Sequence, residues 1–287
     1  MAEIVDNQQP YWYRDTWAPQ DCYLSFAVRE HLHHQRTSFQ VLDVFETHSF
    51  GTVMTLDGII QLTDRDNFIY HEMMAHVALF CHRNPRRVLI VGGGDCGVLQ
   101  QVLQHRQVQQ LTQVELDEAV TAAALRFFPE LCTKNNDPRA TLLFQDAVQW
   151  VARAEPGSVD VCIVDSTDPL GQAERLFGPA FYRDCHHMLA DGGILVVQSE
   201  SPLLHGDVVQ SVRQGQRDAG FSAVRTMTFP QPTYPSGWFS ATLAGKNINL
   251  EHLREEAAEA AHTMQLRYYN AAVHQAAFAL PSFALNW

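Results

Sequence analysis

The chain has 287 residues, 46% of them hydrophobic and 18% charged, a balance ordinary for a globular protein with material for one large domain or two smaller ones. Its 20 Lys plus Arg against 32 Asp plus Glu leave a formal charge of -12, which repels phosphate backbones and argues against nucleic acid as a partner. No apolar run reaches the length of a membrane span, and the opening residues lack the apolar core of a secretory signal, so no membrane association and a cytoplasmic location are expected.

In the first part of the chain, the "HLHH" stretch puts His31, His33 and His34 together. With no acid recurring at ligand spacing, it reads as a solvated helix end, and no metal site is expected. From Ser38 to Thr63, apolar residues such as Val41, Val44, Val53 and Leu56 alternate with polar ones. Turn signals near Ser49–Gly51 and Asp57–Gly58 divide this stretch into an antiparallel hairpin or meander. Such a sheet buries one face and needs a partner layer. Residues 1–65 are therefore expected to form a small N-terminal β-domain, and residues 66–287 the main domain.

From Arg87 onward, strands and helices alternate: "RVLIVGG", "VLQQVLQH", "QLTQVEL", "EAVTAAALRFF", "ATLLF", "VQWVARA", "VDVCIVD", "FYRDCHHML" and "GGILVVQSES". Continuous apolar strands separated by helices predict an α/β fold with a doubly wound parallel sheet. Beyond Gly220, "FSAVRTMTF" and "WFSATLAG" read as two more strands, and residues 251–266 as an amphipathic helix. The "RYYN" run from Arg267 reads as structural, tying the tail to the sheet or to a subunit interface. The six cysteines are dispersed without a C-x-x-C pair, which argues against a disulfide framework or a zinc site.

The stretch "VLIVGGGDCGVL" places Gly92, Gly94 and Gly97 in G-x-G-x-x-G register between a strand and a helix, and Glu115 ends the next strand. That context points to a nucleoside-type ligand, without separating a dinucleotide from an adenosylsulfonium. Asp95 within the loop disfavours a pyrophosphate and suits an ammonium or sulfonium. Asp146 follows the third strand, and Asp165 ends the fourth, with Asp168 three residues on. In an open parallel sheet, carboxyl ends of strands share one edge, so these acids converge on a single crevice that favours cations.

These residues resemble the spermidine synthase family, the polyamine aminopropyltransferases, from about Trp12 to Leu280. The likeness is carried by "LDGIIQLTDRDNFIYHEMMAH", "VLIVGGGDCG", "VELD", "VDSTDPLG", "PTYPSG" and "LRYYNAAVHQAAFALP". It implies a methyltransferase-like Rossmann domain beside the small β-domain, and transfer of an aminopropyl group from decarboxylated S-adenosylmethionine to putrescine. No resident cofactor is implied, the donor being a co-substrate, and a homodimer is expected. By the same likeness, Gln40, Gln61, Gly92, Gly94, Asp95, Glu115, Asp146 and Ala147 line the donor site. Asp95 would hold the aminopropyl amine with help from His71, Glu115 the ribose hydroxyls and Asp146 the adenine. Tyr70, Asp165 and Tyr234 would surround the attacking nitrogen, while Asp168 and Trp17 would bind the diamine. Asp165 to Phe177 would form a gate loop. Departures from the family pattern are Asn67, Cys96, Gln172 and Ser199. Rival readings are another acceptor (cadaverine, agmatine or spermidine), an S-adenosylmethionine methyltransferase, a non-catalytic polyamine binder and, further off, an NAD-dependent dehydrogenase.

Overall fold

Alternating apolar and polar residues in the N-terminal part build one antiparallel meander. Its strands are β1 (Tyr11–Arg14), β2 (Ser25–Arg36), β3 (Val41–Thr47), β4 (Gly51–Leu56) and β5 (Ile59–Thr63), paired in chain order. The computed structural model describes residues 11–15, 23–285 and 287. The β4–β5 turn is the Asp57–Gly58 pair, with φ of 50° and 82°, the doubly positive geometry that a tight hairpin demands. Leu42, Val44, Met54, Leu56 and Leu62 share the face that packs on the second layer, against Val120, Ala123, Phe128 and Leu131. Phe26, Val53 and Ile60 form a smaller cluster of their own, with Tyr13 packed on it.

Helix α1 (Asn67–Cys81) follows and is buried along almost its whole length. Asp66, just before it, fastens three parts of the chain. Its Oδ1 accepts from the Thr63 hydroxyl at 2.6 Å, and its Oδ2 accepts from Thr233 N at 3.0 Å and the Thr233 hydroxyl at 2.7 Å.

The main layer then alternates β6 (Arg87–Gly92), α2 (Gly97–Val102), β7 (Gln110–Glu115), α3 (Glu118–Phe127), β8 (Ala140–Phe144), α4 (Ala147–Ala152), β9 (Val159–Asp165), α5 (Pro179–Met188), β10 (Leu189–Gln198) and α6 (Gly206–Asp218). Strands β11 (Ala223–Pro230) and β12 (Trp238–Gly245) and short helices α7 (Ala257–Thr263) and α8 (Ala271–Ala276) complete it. The sheet order is β11-β12-β10-β9-β6-β7-β8; the run from β10 to β8 is parallel and β12 is antiparallel to both neighbours. Chain progression reverses between β6 and β9, and at such a switch point the strand ends open a crevice. Cores fill both faces of this sheet, which explains the unbroken apolar runs of β6 and β9.

Three sequence expectations are corrected here. His31, His33 and His34 lie in strand β2, not at a helix end, and the strand continues through them because it pairs there with β3. The expected helix over 251–266 shrinks to α7, because Arg254 is pinned to the end of α1: its amide donates to Phe80 O and its guanidinium to Leu79 O. The "RYYN" run is anchored to α1 rather than to the sheet. The amides of Arg267, Tyr268 and Tyr269 donate to the buried Glu72 carboxylate at 2.9, 2.9 and 2.7 Å. Among the described residues, the cysteines are buried and free of disulfides.

Candidate active site

Glycine supplies the floor of the crevice. Gly92 takes φ of 80°, and a Cβ there would meet the Asp165 carbonyl oxygen at 2.2 Å, so the ends of β6 and β9 approach as closely as backbone permits. Gly93 N donates to that carbonyl at 2.7 Å. A Cβ on Gly97 would strike the His71 ring. The three glycines thus let the acid-bearing loops and α1 converge.

Above this floor lies a cavity of ≈ 570 Å³, a size suited to a nucleoside-sized ligand and a short chain. Its wall includes Gln40, Gln61, Tyr70, Gly92, Gly94, Asp95, Glu115, Asp146, Ala147, Asp165, Asp168 and Tyr234. Every site residue expected from sequence is there except His71, which lies behind Asp95, and Trp17, which is outside the described residues.

Asp95 is held from both sides. His71 Nε2 pairs with Oδ2 at 3.0 Å, and Gly97 N donates to Oδ1 at 2.7 Å. Burial pushes Asp95 up, but the His71 charge, its hydrogen bond and the Gly97 amide outweigh this and hold the carboxyl below its usual range. For His71, burial pushes down and the Asp95 partnership wins, so the imidazole is raised. The pair is an ion pair buttressing the glycine loop. Asp146 caps α4, its Oδ1 accepting from Val148 N, while its Oδ2 accepts from Gln149 Nε2 and from Arg175 at 3.1 Å. Here too the donors outweigh burial, and the carboxyl lies below its usual range. Arg175 belongs to the expected gate segment, whose residues 171–177 form a 3₁₀ turn; Leu170, Gly171, Gln172, Ala173 and Leu176 reach the cavity wall.

Asp165 is arranged differently. Tyr70 Oη donates to its Oδ1 at 2.8 Å, and its buried Oδ2 has no hydrogen-bond partner among the described residues. Burial and then the Asp95 charge push this carboxyl up to about 7, against the pull of His71 and Tyr70. Glu115 is likewise pushed up to about 7, chiefly by burial, although the Asp117 amide donates to Oε1 at 2.8 Å. Tyr234 leans edge-on toward Tyr70, with ring centroids 5.9 Å apart, and its hydroxyl donates to Gln61 O, fixing the aromatic wall to β5.

Three residues were missed in the sequence. Glu200 hydrogen-bonds Asp168, and burial followed by the Glu200 charge pushes Asp168 well above its usual range. Gln198 Nε2 donates to Glu200 Oε1 at 3.3 Å. Both line a ≈ 30 Å³ extension that shares Asp168, Tyr70 and Tyr234 with the main cavity. The signal was available: Glu200 follows β10 as Asp165 ends β9. Asp117 was the third; it caps α3 and accepts from Gln40 Nε2 at 3.1 Å and Thr37 Oγ1 at 2.7 Å, tying the N-terminal sheet to the start of α3.

Comparison with known proteins matches the description "Spermine/spermidine synthase domain" over residues 67–254 and "Spermidine synthase tetramerisation domain" over residues 11–64. The chain belongs to the spermidine synthase family of polyamine aminopropyltransferases. Similar members of the family include the polyamine aminopropyltransferases of Methylococcus capsulatus (52% identical over 272 residues, 95% of each chain) and Thioalkalivibrio sulfidiphilus (52% over 265 residues, 92% of this chain and 93% of that one). Among solved structures, a spermidine synthase in complex with the transition-state analogue AdoDATO superposes with a TM-score of 0.92 at 33% identity, over 100% of this chain and 98% of that one. Spermidine synthase from Thermotoga maritima gives 0.90 at 33% identity, over 99% and 97%. The methyltransferase-like Rossmann fold with a small N-terminal sheet is the spermidine synthase architecture, and the family places this chain in polyamine synthesis.

Proposed function

We propose that this aminopropyltransferase moves the aminopropyl group of decarboxylated S-adenosylmethionine to putrescine, releasing spermidine and methylthioadenosine. The observation that carries this reading is Asp165: one oxygen fixed by Tyr70, the other buried in the cavity wall without a partner among the described residues, with a protonation midpoint near neutrality.

An incoming ammonium gives one proton to Asp165 Oδ2. The freed lone pair attacks the carbon beside the sulfonium, the C–S bond breaks, and neutral methylthioadenosine leaves. The new secondary amine carries the positive charge, and the proton on Asp165 passes to solvent. A base with a midpoint near the working pH suits this step, and such help is typically worth ~10²–10⁴ in rate. Because sulfonium is already a good leaving group, neither a metal nor a resident cofactor is required. Tyr70 and Tyr234 orient the nitrogen, and Asp168 with Glu200 receives the remote ammonium of the diamine. On the donor side, Asp95 with His71 holds the aminopropyl amine, Glu115 the ribose hydroxyls, and Asp146 and Ala147 the adenine, with Gln40 and Gln61 closing the wall. The carboxylate of ordinary S-adenosylmethionine would meet the Asp95 charge, which disfavours it.

A boundary at residues 65 and 66 separates the β-domain from the catalytic domain. Self-association, at least to a homodimer, is supported by the tetramerisation name of the N-terminal match. A cytoplasmic site of action accords with the absence, among the described residues, of any helix long and apolar enough to cross a membrane. The test is methylthioadenosine release by the purified protein with decarboxylated S-adenosylmethionine and a panel of amines. Release that requires an amine and is fastest with putrescine supports the reading; a faster amine corrects the acceptor, and no release with any amine overturns the activity.

A further inference from the structure

The histidines of β2 lie far from the reaction chemistry in sequence, yet the fold makes a cluster of them. Side chains three apart on a regular strand point to opposite faces. In β2 the pairing with β3 shifts register between His31 and His33, so that His31 faces Phe45 and His34 faces Asp43. The extra residue re-aims the strand, as bulges do. Asp43 and Phe45 are two apart on β3 and share a face, so both imidazoles come to one side of the Asp43 carboxylate. His31 Nε2 and His34 Nδ1 each lie 2.7 Å from Asp43 Oδ1, and one ligand atom from each of the three residues falls within 4.8 Å of the others. The His31 ring is further fixed by stacking on Phe45, centroids 4.5 Å apart at 23°.

We propose that His31, His34 and Asp43 form a binding site for one divalent transition-metal ion, of the class that imidazole nitrogen and a single carboxylate favour, with zinc as the defining probe. Tetrahedral zinc with bonds of about 2.0–2.1 Å sets its ligand atoms about 3.3 Å apart. The two imidazole–carboxylate distances need to open by only about half an ångström to admit it. Each imidazole proton that now faces Asp43 moves to the ring's other nitrogen, a tautomer change that leaves neutral rings neutral. The side chains of His31 and His34 are 45% and 59% exposed and that of Asp43 16%, so the ion enters from solvent and water completes its coordination. Two bridges then join β2 to β3 across the bulge. The ion would act as a clip on the N-terminal sheet, separate from the cavity wall, to which none of the three residues contributes.

Calorimetric titration of chelator-treated full-length protein with zinc tests this, with cobalt absorption as a second readout of ligand geometry. Wild type should bind one zinc per chain, and His34→Ala and Asp43→Asn should each weaken that affinity at least about tenfold. His33→Ala should leave it unchanged, since His33 pairs with Gln35 and leans on Phe127. Thermal melts without metal verify that the variants fold. The proposal is overturned if the His31→Ala/His34→Ala double variant binds zinc as tightly as wild type, or if His33→Ala loses as much as His34→Ala.

Discussion

The loop after β6 and the end of β9 each bring an aspartate to the same cavity, and the two are treated in opposite ways. Asp95 is given a buried imidazolium and a backbone amide, which keep it ionised despite burial. Asp165 is given one tyrosine hydroxyl and a bare second oxygen, so burial and the neighbouring Asp95 charge raise it to about 7. A carboxylate saturated with donors is a fixed charge, suited to holding a cationic group. A carboxylate short of donors exchanges its proton near neutrality. Two chemically identical side chains acquire different tasks from their hydrogen-bond partners.

That contrast breaks most sharply at Asp165. Asp165→Asn should lower kcat by about 10²–10⁴ with little change in donor KM, read from steady-state methylthioadenosine release. A loss below about tenfold would refute the base role. The same variant should be more stable than wild type at pH 8. The folded midpoint of Asp165 lies above its unfolded value of 3.8, so wild type bears the cost of the buried charge above about pH 7 and loses that handicap as pH falls toward 4. Denaturant melts at pH 8 and pH 5 should show the advantage at the first and its shrinkage at the second.

Asp95→Asn should act on binding instead. It removes a charged partner, so donor KM should rise about 10- to 100-fold while discrimination against ordinary S-adenosylmethionine narrows. An unchanged preference between the two donors would count against Asp95 as the discriminating charge. Tyr70→Phe deletes the bond that lowers Asp165. It should cost about tenfold in kcat and move the acid limb of the rate profile to higher pH. Smallest of all is Arg175→Ala in the turn of residues 171–177. Its side chain is 55% exposed, and the pair with Asp146 contributes below about 1 kcal/mol, so donor KM should change less than about fivefold.

The site was readable in sequence to the extent that its residues sit at strand ends. Asp95, Glu115, Asp146 and Asp165 sit at or just after the carboxyl ends of strands, and a parallel sheet must bring such positions to one edge. The same rule, applied once more to β10, would have found Glu200. What the rule omits is partnership. That Tyr70 reaches Asp165 across 95 residues, or that Glu72 receives the tail amides, depends on how α1 lies against the sheet, and no local pattern encodes it. The misjudged elements have the same origin. His31 and His34 find their acid on a neighbouring strand through a bulge, and the helix expected from residue 251 yields to the anchoring of Arg254 on α1.

Whether Asp165 takes the acceptor's proton is read from the pH dependence of kcat/KM for the amine in wild type and Asp165→Asn. Wild type should show an ascending limb with a midpoint near 7, and the residual activity of the variant should lack it. The same limb in both proteins would assign the proton to another group and contradict the base role of Asp165.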